Sequence, residues 1–218
     1  MGRPILAPPP WWRRRSVGAG LGMLLLLIVV GALLSLGACT PPRDAVSAAD
    51  LHRSAPGATA VVVVYSRSGH TAAVALGLAR ALHADYQRIL GPGDEGDSWL
   101  STPNWKSEIR VEPSQVDLAP YNLVLIGGPI WYWHPDAVVV SFIRHADLRG
   151  KNVVLFYTFE GGAMSDETEA QWRAWASERG GVVRDVVGID RKQLAEDADL
   201  GVEAERIVRE RSAAWTRR

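Results

Sequence analysis

At 218 residues, 47% of them hydrophobic and 22% charged, the chain has room for one buried core with appendages. Net charge is zero, yet residues 1–38 hold four Arg and no acid, so the remainder carries 20 basic against 24 acidic residues. A mildly acidic body without a basic stripe excludes a nucleic-acid role, and the single cysteine, Cys39, excludes an internal disulfide and a cysteine-based metal cluster.

Taken in chain order, Arg13-Arg14-Arg15 precedes an uncharged apolar run over residues 17–38, which ends in Leu36-Gly37-Ala38-Cys39. A basic start, an apolar middle and small residues before a cut site are the features of an export signal. The tetrad resembles the bacterial lipobox, which implies cleavage before Cys39 and lipidation of its sulfur. An uncleaved anchor is the competing reading, because about 20 apolar residues span a bilayer. Either way the body is expected outside the cytoplasm, in the cell envelope, tethered to a membrane. Arg14-Arg15 also suggests the export route used by folded proteins. The expected division is a signal over 1–38, a Pro-, Ala- and Ser-rich tether over 39–57, and a domain over 58–218.

The domain opens on a β-branched run, Val61 to Val64, that breaks into Ser66-Arg67-Ser68-Gly69-His70-Thr71. A helix is expected over 71–83, with Val74, Leu78 and Leu82 along one stripe. Residues 84–90 suggest a second strand. Residues 91–122 form a long polar stretch with a short strand expected near 109–111; Trp99 and Trp105 within it either cover a ligand or pin the stretch to the body. A buried strand over 123–126 should end at Gly127-Gly128-Pro129, and a helix should follow over 136–145. Then come a strand over 151–157, a helix over 165–179 capped by Ser165, a strand over 182–187 and a closing helix over 200–215. Apolar strands alternating with amphipathic helices predict a three-layer α/β domain, with a parallel sheet covered on both faces.

In such open sheets ligands bind beyond the carboxyl ends of the strands, where strand order reverses. Three predicted strand ends carry unusual chemistry. The first, Ser66 to Thr71, is a strand–hydroxyl loop–helix junction. There backbone N–H groups, a helix amino terminus and hydroxyls together favour an anion, and Gly69 permits close approach; a plain capped turn would have the same composition. The second is Pro129-Ile130-Trp131-Tyr132-Trp133-His134, three aromatics in a row between Gly-Gly-Pro and Pro. The third is Thr158-Phe159-Glu160-Gly161-Gly162.

On these residues the chain resembles the flavodoxin family from about residue 60 to 215. YSRSGHT is similar to that family's phosphate loop, GGPIWYWHP to its second flavin loop and TFEGGAM to its third. The resemblance implies a doubly wound five-stranded sheet of order 2-1-3-4-5 with FMN as cofactor; flavodoxin is itself a standard example of FMN held at the switch point. It implies that Ser66, Ser68, Gly69 and Thr71 hold the phosphate, with Arg67 and the His70 backbone in the same loop. Trp131 and Tyr132 would neighbour the ring, while Pro129, Ile130, Thr158, Phe159, Glu160, Gly161 and Gly162 shape its edges. Trp133 stands where many electron carriers of the family have Gly, whose peptide turns over on one-electron reduction. A non-glycine residue entering the left-handed region costs about 1–2 kcal/mol, so weaker stabilisation of the one-electron-reduced cofactor is expected.

The leading functional expectation is an FMN-binding redox protein exchanging electrons with a partner protein or a quinone. The enzymatic alternative is a flavin-dependent quinone or NAD(P)H oxidoreductase; a third is a binding module that has lost its cofactor. His134 and Tyr132 are candidate proton donors near the ring. The sequence has no Gly-x-Ser-x-Gly elbow and no His/Asp cluster at metal-ligand spacing.

Overall fold

The computed structural model describes residues 52–54, 56–92, 104–193 and 200–217. The export segment, Cys39, most of the tether and Trp99 lie outside them. The strands are β1 (Ala60–Tyr65), β2 (Asp85–Ile89), β3 (Leu123–Trp131), β4 (His134–Pro135), β5 (Asn152–Phe159) and β6 (Val182–Asp190). The helices are α1 (His70–Leu82), α2 (Ala137–His145), α3 (Asp166–Glu178) and α4 (Leu200–Trp215).

Five strands pair in parallel in the order β2-β1-β3-β5-β6. This is the expected 2-1-3-4-5 order once the two-residue β4, which pairs antiparallel with the end of β3, is set aside. Every residue of β1 is buried, because the pleat sends alternate side chains into two cores. Val61, Val63 and Tyr65 join the core that takes in Val139 and Phe142 of α2 and Trp172 of α3. Val62 and Val64 join the core containing Leu78 of α1 and Ala204 and Ile207 of α4. That alternation is why the strand is β-branched throughout and why helices cover both faces.

Local signals fix the helix starts. The Asp136 carboxylate accepts from Val138 N at 2.9 Å, and Ser165 Oγ accepts from Thr168 N at 3.2 Å, each satisfying a donor that the first turn leaves open. Asp166, Glu167 and Glu169 then sit in the first turn of α3, where the helix dipole favours them.

The strand ends differ from expectation. Gly127-Gly128-Pro129 does not terminate β3, which runs on to Trp131. The glycines are there for packing: a Cβ at 127 would lie 2.5 Å from the Phe156 ring and carbonyl, and one at 128 would lie 2.5 Å from Val139 Cγ2. Pro129 lies beyond the last β1–β3 pair, Val64 with Gly127, and pairs only with Thr158 at the end of the β3–β5 ladder. β5 and β6 likewise extend to Phe159 and Asp190. No strand forms over 109–111; the next residue, Glu112, makes an isolated antiparallel bridge with Leu90.

The described part of the long stretch is pinned to the body. The Trp105 ring stacks on His134 with centroids 4.5 Å apart and planes 9° apart, and it tilts against Trp175 at 5.5 Å. Ile109 N donates to Ser141 Oγ at 3.0 Å, and Arg144 Nη1 donates to the Lys106 carbonyl at 3.0 Å.

Candidate functional site

β1 ends at Tyr65, and the next four residues turn the chain into α1. Gly69 sits at φ +91° and occupies the N-cap position with no side-chain cap bond. A glycine carries that φ without steric cost, and the uncapped helix start leaves first-turn N–H groups without the usual side-chain acceptor. Ser66 is buried at 2% exposure, and its Oγ has no hydrogen-bond partner among the described residues. Ser68 Oγ bonds His70 Nδ1 at 2.8 Å. Arg67 is half-buried beside them. A partnerless buried hydroxyl, a glycine cradle and an uncapped helix amino terminus together suit a phosphate.

The third loop lies directly beside this turn. Thr71 and Thr158 are both buried, and their hydroxyl oxygens are 2.7 Å apart. Thr158 also pairs with Pro129 in the β3–β5 ladder, so one layer of the sheet links all three predicted loops. Glu160 is exposed and pairs with Arg191 at 3.6 Å. Lys192 Nζ lies 3.4 Å from where a Cβ at Gly161 would stand, and Gly161 has φ +86°. Phe159 tilts against Tyr157 at 5.6 Å and packs on the core.

The aromatic triplet is a hairpin. Ile130 pairs with Pro135 and Trp131 with His134, leaving Tyr132 and Trp133 as a two-residue turn with φ of +50° and +65°. Positive φ at both positions is the type I′ pattern that normally calls for Asn-Gly. Here two bulky aromatics hold it, exposed at 72% and 60%. Trp133 reaches the third loop, since a Cβ at Gly162 would lie 2.5 Å from its Nε1. Trp131 is placed differently: with Asn104, Trp105, Tyr132, His134, Pro135 and Asp136 it lines a cleft of about 340 Å³ in which no residue of the phosphate turn takes part.

The structure therefore brings Ser66–Thr71, Thr158–Gly162 and Trp133 onto one rim, and it puts Trp131 in the aromatic cleft with Trp105. The Trp133 backbone is left-handed in the fold, at φ +65°.

Sequence reasoning missed three cations. Arg88 Nη2 donates to the Ser66 carbonyl at 2.8 Å, and Arg191 and Lys192 follow β6 on the rim. Nothing in DYQRI marks the first, since the burial of that strand is seen only in the fold. Nothing in the sequence marks the other two.

His70 is half-buried between these groups. Burial, and then the positive charge of Arg191, push its pKa below the usual histidine value, while Glu160 pulls the other way. Its folded value is therefore below its unfolded one, so between the two the unfolded chain binds more protons. Stability is then lost as pH falls through about 6.5 toward the folded value. His70→Gln should flatten the decline of the urea midpoint between about pH 7.5 and about pH 5.5; an unchanged decline would exclude His70 as its source.

A family model described as Flavodoxin matches residues 59–178. No curated protein matches the chain. Among solved structures, the fold is similar to that of a flavoprotein candidate from Bacteroides uniformis, with TM-score 0.55 and 20% identity over 70% of this chain and 99% of that one. It is also similar to a flavoprotein candidate from Bacteroides eggerthii, with TM-score 0.54 and 21% identity over 73% and 99% of the two chains. With its sheet order, its phosphate-type turn and a family match over more than half its length, the chain belongs to the flavodoxin family.

Proposed function

We propose that this protein binds FMN and works as a redox carrier tethered to a membrane through a lipid on Cys39. The observation that carries the cofactor reading is the uncapped start of α1 beside the buried, partnerless Ser66 hydroxyl. Family membership supports it. When bound, the flavin supplies the electron chemistry and the protein supplies orientation and electrostatics.

The residues divide that work by position. Ser66, Ser68, Thr71 and the backbone of Gly69 and His70 would hold the phosphate. Tyr132 and Trp133 on one side and Gly161-Gly162 on the other would bound the ring. Thr158, bonded to Thr71, keeps these two parts in register. Trp133 over Gly162 limits water access from the hairpin side. The tether reading rests on the Leu-Gly-Ala-Cys tetrad.

An absorbance spectrum of the folded protein with and without added FMN tests the cofactor reading. Flavin bands that stay with the protein through gel filtration at one FMN per chain are expected. A colourless protein after incubation would favour the module without cofactor.

A second reading, a flavin-dependent quinone oxidoreductase, is favoured by the cleft of Trp105, Trp131, Tyr132 and His134. Its size and aromatic walls suit a small flat ligand. Quinone-dependent reoxidation of the reduced protein that is slowed by Trp131→Ala would support it.

A further inference from the structure

Arg88 lies on β2, where it pairs with Val64 one residue before the end of β1's strand core. A strand position with neighbours this apolar does not ordinarily hold an arginine. Its guanidinium is directed to the turn: Nη2 donates to the Ser66 carbonyl at 2.8 Å. Arg88 Nε and Ser66 Oγ are both buried, and neither has a hydrogen-bond partner among the described residues. Two buried polar atoms without partners, on residues already bonded to each other, are costly. The cost makes sense if the charge serves something that the turn receives.

We propose that Arg88 is the positioning cation of the phosphate turn. It braces Ser66 from behind through the carbonyl and sets a full positive charge in a partly buried place next to the nest. The turn can then take a phosphomonoester, which carries about −1.5 to −2 charge at neutral pH, and so discriminate FMN from riboflavin. This inference rests on the FMN reading above. Its physical basis is that a charge held at low local dielectric acts more strongly than the same charge in water. The nest dipoles supply only partial charges, and Arg88 supplies an integral one.

The test is fluorescence titration of the full-length protein with FMN and with riboflavin, comparing wild type, Arg88→Gln and Arg88→Lys. Gln keeps an N–H donor for the Ser66 carbonyl without the charge, and Lys keeps the charge. FMN affinity should fall by roughly tenfold or more in Arg88→Gln, the usual scale for an opposite charge removed from a nearby ionic group. Riboflavin affinity should stay within about twofold, and Arg88→Lys should recover most of the FMN loss. Equal FMN affinity in Arg88→Gln and wild type overturns the proposal. So does a riboflavin loss as large as the FMN loss, which marks general damage to the site, and so does an Arg88→Lys protein as weak as Arg88→Gln, which leaves only bracing. Wild-type protein that binds neither flavin instead removes the FMN reading itself, so the two failures are separable.

Discussion

Gly77→Val should destabilise the domain by about 3 kcal/mol, the upper part of the range for overpacking a tight core. A Cβ at residue 77 would lie 2.6 Å from the Gly201 carbonyl oxygen, 2.7 Å from Gly201 Cα and 2.8 Å from Ala204 Cβ. Two of these neighbours are backbone, so no side chain can swing aside, and α1 and α4 would have to separate. Helix propensity alone predicts the opposite sign for Gly77→Ala, because Ala gains about 1 kcal/mol over Gly inside a helix. Steric contact should win, leaving Gly77→Ala less stable than wild type and Gly77→Val less stable still. For a body of this size each kcal/mol moves the melting temperature by about 2–4 °C, so Gly77→Val should melt about 6–12 °C lower. The displacement matters for function because α1 begins at the phosphate turn: FMN affinity should fall along with stability. A Gly77→Ala protein that melts above wild type would show that the helices have slack and that the close approach is not structural.

That close approach was invisible in the sequence, whereas the layer order was not. The β-branched run at Val61–Val64, buried residue by residue on two cores, and the Ser165 cap both declare themselves through period and residue type. Such signals are local, and they give the fold and the place of the glycine turn that opens α1. Contacts between distant segments are not local. Gly127-Gly128 reads as a strand terminator until Phe156 and Val139 are seen against it. The antiparallel pairing of Trp131 with His134, and the cleft it shares with Trp105, are likewise not announced by the sequence. Arg88 passes unremarked because nothing in DYQRI announces that the carbonyl of Ser66 is within bonding reach. A site on strand ends is assembled by register, and register between strands far apart in sequence is what a single sequence states least.

The Tyr132-Trp133 turn should trade stability for binding, and the double variant Tyr132→Asn/Trp133→Gly should expose the trade. Both residues are left-handed, at φ +50° and +65°, where a non-glycine residue costs about 1–2 kcal/mol. Asn and Gly are the residues that this turn type prefers. Two aromatics kept there, well over half exposed, bury too little surface to offset that strain. Strain at a partly exposed turn is the pattern seen where a segment is held for its ligand. The variant loses the Trp133 contact with Gly162, which offsets part of the gain. A net stabilisation of about 1–2 kcal/mol is expected in the absence of flavin, a rise of about 2–8 °C in melting temperature. FMN affinity should move the other way, by roughly twofold to tenfold, the value of one aromatic partner. Calorimetry without flavin and a fluorescence titration with FMN read the two effects separately. If the variant melts lower, the aromatics stabilise the hairpin and no strain is stored there. If it melts higher but binds FMN as wild type does, the strain is real and the hairpin tip does not bound the ring, which would move the aromatic wall of the site to Trp131 and the cleft it shares with Trp105.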